Sequence, residues 1–81
     1  MHEVSIADAL LHQAANVARQ HGLASVEALG VCVGRHSGVV GDALAQAFEI
    51  LREGTTLAGA HLTITEVDGT ELRLDWIEGG P

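Results

Sequence analysis

The sequence predicts a small α+β domain in which two helices pack on one face of a three-stranded mixed β-sheet, in the order α-β-α-β-β. Two segments repeat apolar residues at helical spacing, and three others are rich in β-branched and aliphatic residues. The chain has 81 residues, which is enough for a single domain over residues 1–81 with a modest core. The sequence therefore favours one layer of helices against one sheet.

The first three elements follow from local patterns along the chain. Apolar residues at steps of three and four predict a helix over residues 6–21, and Ser5 and Asp8 have the spacing of a capping box ahead of it. The segment SVEALGVCVG, residues 25–34, is typical of a buried strand. A second apolar stripe that stops at a glycine predicts a helix over residues 41–53.

The last part of the chain predicts a β-hairpin formed by HLTITEV and ELRLDWIE. A two-residue turn would place apolar residues opposite charged ones. A three-residue loop at 68–70 would instead pair Leu62 with Trp76 and Ile64 with Leu74, which gives one apolar face. We therefore expect the second register.

Charge and composition exclude several classes of function. The formal net charge is −7, and the four basic residues are arginines that lie far apart in the sequence. No basic stripe is available to neutralise phosphates, so nucleic-acid and anionic-membrane binding are disfavoured. No apolar run approaches the roughly 18 residues of a membrane span. We expect a cytoplasmic protein.

The chain opens with MHEVS, which places a histidine directly after the first residue. A free α-amine, the first peptide nitrogen and Nδ1 of His2 can close adjoining chelate rings around one metal ion. Three nitrogen donors in a plane suit Cu(II) and Ni(II) far better than Mg(II) or Ca(II). By itself, however, a histidine at this position is also typical of a frayed terminus.

Several separated motifs then occur in one consistent order, and the similarity runs through essentially the whole chain. They are MHEVS at 1–5, Val33-Gly34, Ser37-Gly38-Val39, Ala47-Phe48-Glu49 and Glu53-Gly54-Thr55, followed by Leu57, Gly59, Ala60 and Leu62. In these motifs the chain resembles the HypA/HybF family of nickel metallochaperones for nickel-iron hydrogenase and urease maturation.

The resemblance implies a function, a site and partners. It implies that Met1, His2 and Glu3 form a nickel site, with His2 supplying its imidazole and local backbone nitrogens supplying most of the plane. It implies delivery of Ni(II) to the hydrogenase large subunit together with a maturation GTPase of the HypB type. The helix and sheet layer would dock on these partner proteins.

Two departures from the family pattern affect this expectation. Family members usually carry an inserted module with two Cys-x-x-Cys pairs that bind structural zinc, whereas this chain has one cysteine and only a short hairpin loop near 67–70. No structural zinc is expected. An acidic residue often associated with the nickel site falls where this chain has Val40, so the fourth ligand is open between His36, Asp42 and Glu3.

Simpler interpretations exist for the same residues. The Glu3 carboxylate can bind a partner or a helix end instead of a metal, His36 can be a surface histidine in a turn, and Asp42 can interact with a helix dipole. Cys32 lies among aliphatic residues and is typical of an inert buried thiol. No nucleophile motif is present, so no enzyme is expected.

Two other functions remain open. The chain could be a docking or scaffold module of the same ancestry that has lost metal delivery, or a core engineered by removal of the zinc module.

Overall fold

A computed structural model describes residues 2–81 and confirms the predicted α-β-α-β-β order. The elements of the described chain form two helices and one three-stranded mixed sheet. Their bounds are α1 Glu3–Gln20, β1 Ser25–Gly34, α2 Gly41–Leu51, β2 His61–Val67 and β3 Leu72–Gly80.

Helix α1 begins earlier than the sequence predicts. Its first turn starts at Glu3, and the N-cap residue is His2, which makes no side-chain cap hydrogen bond. The Ile6 N–H donates to the His2 carbonyl at 3.0 Å, so the backbone ladder is already established before the expected start. The capping box at Ser5 and Asp8 was therefore wrong, because both residues lie inside the helix.

The expected hairpin is also wrong, because β2 and β3 do not pair with each other. The sheet has the order β2-β1-β3, with β2 parallel and β3 antiparallel to the central strand. Leu62 is opposite Leu29 and Trp76 is opposite Gly30, so the predicted pair of Leu62 and Trp76 does not form. The predicted pair of Ile64 and Leu74 is also absent, because both residues lie opposite Val31. The apolar residues of β2 and β3 therefore lie next to those of the central strand β1 and not next to each other.

A register shift in β3 moves Trp76 off the apolar face on which the hairpin would have placed it. Gly30 is opposite Trp76 while Val31 is opposite Leu74, so Asp75 is skipped. The indole lies against Gly30, with Cδ1 only 2.8 Å from where a β-carbon would stand, and Trp76 is 43% exposed. Gly30 therefore makes room for this ring.

The connection from β2 to β3 crosses over the end of β1 in only four residues, 68–71. The Gly34 N–H donates to the Glu71 carbonyl at 2.6 Å, and the His36 N–H donates to the Gly69 carbonyl at 2.8 Å. A β-carbon on Gly34 would lie 2.5 Å from the Gly69 oxygen, so the absence of a side chain permits this close crossing.

Both helices cover the same face of the sheet, and the core lies between the two layers. Helix α2 ends at Leu51, two residues before the predicted end, and Gly54 follows with a φ of +75°. The most deeply buried large side chains of the described residues are Leu29, Leu44, Leu57 and Val31.

No helix within residues 2–81 is both long and apolar enough to cross a membrane.

Candidate metal site

His2 lies at the exposed start of α1, where it is the N-cap residue. The first helical hydrogen bond of the described chain runs from the Ile6 N–H to the His2 carbonyl. The backbone N–H groups of His2 and Glu3 come before Ile6, so they do not donate to carbonyls of the helix. Metal coordination by these nitrogens would not require any bond of the helix ladder to break. Met1, the other residue expected at the site, lies outside the described residues.

Glu3 is the one buried charged residue among residues 2–81, at 8% exposure. Its Oε2 accepts a hydrogen bond from the Val40 N–H at 3.1 Å, so the carboxylate lies at the start of α2. The pKa of Glu3 is lowered to about 2, first by a hydrogen bond with the charged amino terminus and next by the Val40 N–H. Partial desolvation opposes these effects. The carboxylate is therefore ionised at neutral pH.

The two other ligand candidates lie near the same end of the fold. His36 is exposed in the turn after β1, where its backbone N–H bonds to Gly69, and Asp42 is exposed in the first turn of α2. Within residues 2–81, no three histidine, cysteine, aspartate or glutamate side chains are grouped closely enough to hold a metal ion. The described side chains thus do not form a closed ligand set.

Two other features of the described side chains are an acid–histidine pair on α1 and a buried cysteine on β1. Asp8 and His12 lie one turn apart on α1, with Oδ2 and Nδ1 3.5 Å apart, and both side chains are largely exposed. Such an i,i+4 contact contributes only a few tenths of a kcal/mol. Cys32 is 5% exposed and forms no disulfide, and it lies among buried residues as expected of a structural thiol.

Sequence reasoning identified a helix end as one alternative for Glu3 but did not identify which one. The partner of the carboxylate is the backbone N–H of Val40. The type of a residue does not indicate whether its backbone N–H bonds to a distant side chain. One signal was available: α2 starts after Val40, and valine has no side-chain oxygen with which to cap a helix. A carboxylate from elsewhere in the chain can take that place.

A family comparison identifies the ancestry of the chain. The model of the family described as "HypA: Hydrogenase/urease nickel incorporation, metallochaperone, hypA" matches residues 1–74. The chain belongs to the HypA family. The resemblance drawn from MHEVS and the later motifs is thereby confirmed, as is the expectation of a metallochaperone family rather than an enzyme family.

Relatives named "Hydrogenase maturation factor HypA" support this assignment. The protein of Deinococcus radiodurans is 55% identical over 69 residues, which cover 85% of this chain and 58% of the relative. That of Chloroflexus aurantiacus is 45% identical over 67 residues, which cover 83% of this chain and 59% of the relative. The chain thus spans less than two thirds of the length of these HypA relatives.

The fold agrees with that of a solved HypA structure. The solution structure of the Ni metallochaperone HypA from Helicobacter pylori matches with a TM-score of 0.89 at 20% sequence identity. The match covers 99% of this chain and 98% of that chain. At this identity the likeness shows a common fold.

Proposed function

We propose that this chain is a nickel-binding metallochaperone that delivers Ni(II) during nickel-iron hydrogenase maturation. The family description and the name of the relatives support this function. The observation that carries it is the placement of His2 at the exposed N-cap of α1, with its backbone nitrogen outside the helix ladder.

The proposed site consists of Met1, His2 and Glu3. The α-amine, a backbone nitrogen and the His2 imidazole are nitrogen donors that suit planar Ni(II). Protons compete for these donors, so the affinity should rise with pH. Because the imidazole is exposed, ligands of a second protein can reach the metal while it is still held. An exposed site of this kind suits a carrier that must release its cargo.

The fourth donor is proposed to come from Glu3, His36 or Asp42. Glu3 already bonds to Val40, so its carboxylate would need a second contact or a rearrangement to bind nickel. His36 and Asp42 are exposed and can be replaced one at a time with little effect on the core. If a variant that lacks one of these side chains binds Ni(II) with the affinity of the parent, that side chain is not the fourth donor.

The proposed partners are the hydrogenase large subunit, which receives nickel, and a maturation GTPase of the HypB type. No nucleic-acid or membrane partner is proposed, because the charge disfavours nucleic acid and anionic membranes. A cytoplasmic location remains a prediction. The short 68–71 connection supports the further proposal that this domain needs no structural zinc.

The rival proposals are a docking module that has lost metal delivery and an engineered core without the zinc module. A docking module would retain affinity for a partner but would not bind Ni(II) tightly. The engineered core would bind Ni(II) as the proposed carrier does. Metal titration therefore separates the first rival from the leading proposal.

The direct test is Ni(II) calorimetry on untagged His2→Ala protein. We expect at least a tenfold loss of affinity with an unchanged thermal transition, because His2 is exposed and packs against little of the core. His21→Ala is a matched control, since His21 is also exposed and lies at the opposite end of the same helix. Unchanged nickel affinity in His2→Ala would overturn the proposed site.

A further inference from the structure

Glu3 connects two elements that are distant in sequence. Glu3 is a buried residue, and its bond to Val40 is partly buried. Taking a charge out of water is costly unless hydrogen bonds compensate for the lost water. The bond from the Val40 N–H, at 3.1 Å, spans 37 positions of the chain. This bond joins the first residue of α1 to the N-cap of α2.

The N-cap residue of α2 has no side chain that can accept a hydrogen bond. Val40 is the N-cap residue, has extended backbone geometry and makes no side-chain cap hydrogen bond. The first N–H groups of a helix lack carbonyl partners, and a carboxylate near them is favoured by the helix dipole. Glu3 supplies an acceptor for the Val40 N–H and adds a negative charge to that of Asp42 in the first turn of α2.

We propose that the Glu3 carboxylate positions the nickel site and is not itself the fourth donor, which leaves His36 and Asp42 as the side-chain candidates. This inference rests on the proposed function. His2 immediately precedes Glu3, so anchoring Glu3 at α2 restricts the backbone from which the imidazole projects. Holding donors in place before the metal arrives reduces the ordering cost of binding. The carboxylate thus acts on nickel through His2, while its oxygen remains with the Val40 N–H.

The inference is tested with Glu3→Gln and Glu3→Ala, using calorimetry with Ni(II) at one fixed pH. Glutamine keeps a carbonyl oxygen that can accept from Val40, whereas alanine has none. We expect Glu3→Gln to retain affinity within about threefold and Glu3→Ala to lose about tenfold. Glu53→Gln is the matched control, since Glu53 is exposed just beyond α2.

Two further measurements separate positioning from coordination. Hydrogen exchange at the Val40 amide should stay slow in Glu3→Gln and accelerate in Glu3→Ala. The visible absorption of planar Ni(II), which reports the donor set, should be the same in Glu3→Gln as in the parent.

The inference is overturned if Glu3→Gln loses as much affinity as Glu3→Ala while its Val40 amide remains protected, because nickel binding would then depend on the carboxylate charge and not on the bond to Val40. It is also overturned if Glu3→Ala binds nickel as the parent does. A failure of the proposed function itself would appear differently, as full nickel affinity in His2→Ala.

Discussion

Replacing Gly34 with alanine is expected to destabilise the fold by about 2–3 kcal/mol, because the new methyl group would meet backbone atoms. It would lie 2.5 Å from the Gly69 oxygen and 2.6 Å from the Glu71 nitrogen, where ordinary contacts begin at 3.4 Å. The crossing segment would have to move by roughly 1 Å, and overpacking of this kind costs about 1–3 kcal/mol.

Movement of that segment also weakens two hydrogen bonds. They are the bonds from the Gly34 N–H to the Glu71 carbonyl and from the His36 N–H to the Gly69 carbonyl. Each contributes about 1 kcal/mol net. The reduced entropy of the unfolded alanine chain returns about 0.4–1 kcal/mol. With overpacking at the middle of its range and the two bonds weakened by about half, the net loss is about 2–3 kcal/mol. For a domain of this size with about 5 kcal/mol of stability, the loss is large.

Urea unfolding followed by circular dichroism measures this effect. With a slope of about 1–2 kcal/mol/M, the midpoint should fall by roughly 1–3 M. Gly59→Ala is the control, because a β-carbon there has no neighbouring atom within 4 Å. It should change stability by no more than about 0.5 kcal/mol. If Gly34→Ala behaved like Gly59→Ala, the close crossing over β1 would be incorrect.

Four other outcomes can be measured. One glycine added before Met1 should weaken Ni(II) binding tenfold or more, which is about 1.4 kcal/mol, because the amine becomes an amide; equal calorimetric affinities at the same pH would exclude the amine as a ligand. Chelator treatment should leave the cooperative thermal transition intact, and its loss would reveal a structural metal site. Gly30→Ala should displace the Trp76 indole and shift its fluorescence, whereas an unchanged spectrum would contradict their contact. The pKa of Glu3 is lowered from 4.5 to about 2, so the ionised carboxylate should stabilise the folded state above pH 4.5. This stabilisation should be lost as the pH falls towards 2. An NMR titration of Glu3 with a midpoint near 4.5 would contradict this.

The elements could be predicted from sequence because their signals are local. Periodic apolar residues located both helices to within a few residues, and β1 has the predicted bounds Ser25–Gly34. The strand pairing could not be predicted in this way. Leu62, Ile64 and Leu74 need apolar neighbours on one face, and either a hairpin or a shared central strand provides them. The choice depends on β1. As the central strand, β1 needs a hydrogen-bonded neighbour along each of its two edges.

The candidate site was predictable only in part. The sequence placed a histidine where an amine and a backbone nitrogen are close by covalent connection, so His2 could be proposed without knowledge of the fold. The contact between Glu3 and Val40 depends on how α1 packs beside the start of α2. No local pattern encodes a bond between a side chain and a distant backbone amide.

The position of β1 between a parallel and an antiparallel neighbour also has a kinetic consequence. Every strand pair in the described sheet joins distant parts of the chain, and the pairing of Ser25 with Gly80 joins residues that are 55 positions apart. Such a high contact order predicts slower folding than for a helical protein of equal size. Until β2 and β3 arrive, the aliphatic strand β1 has two unpaired edges, so it is the segment most prone to intermolecular association during refolding.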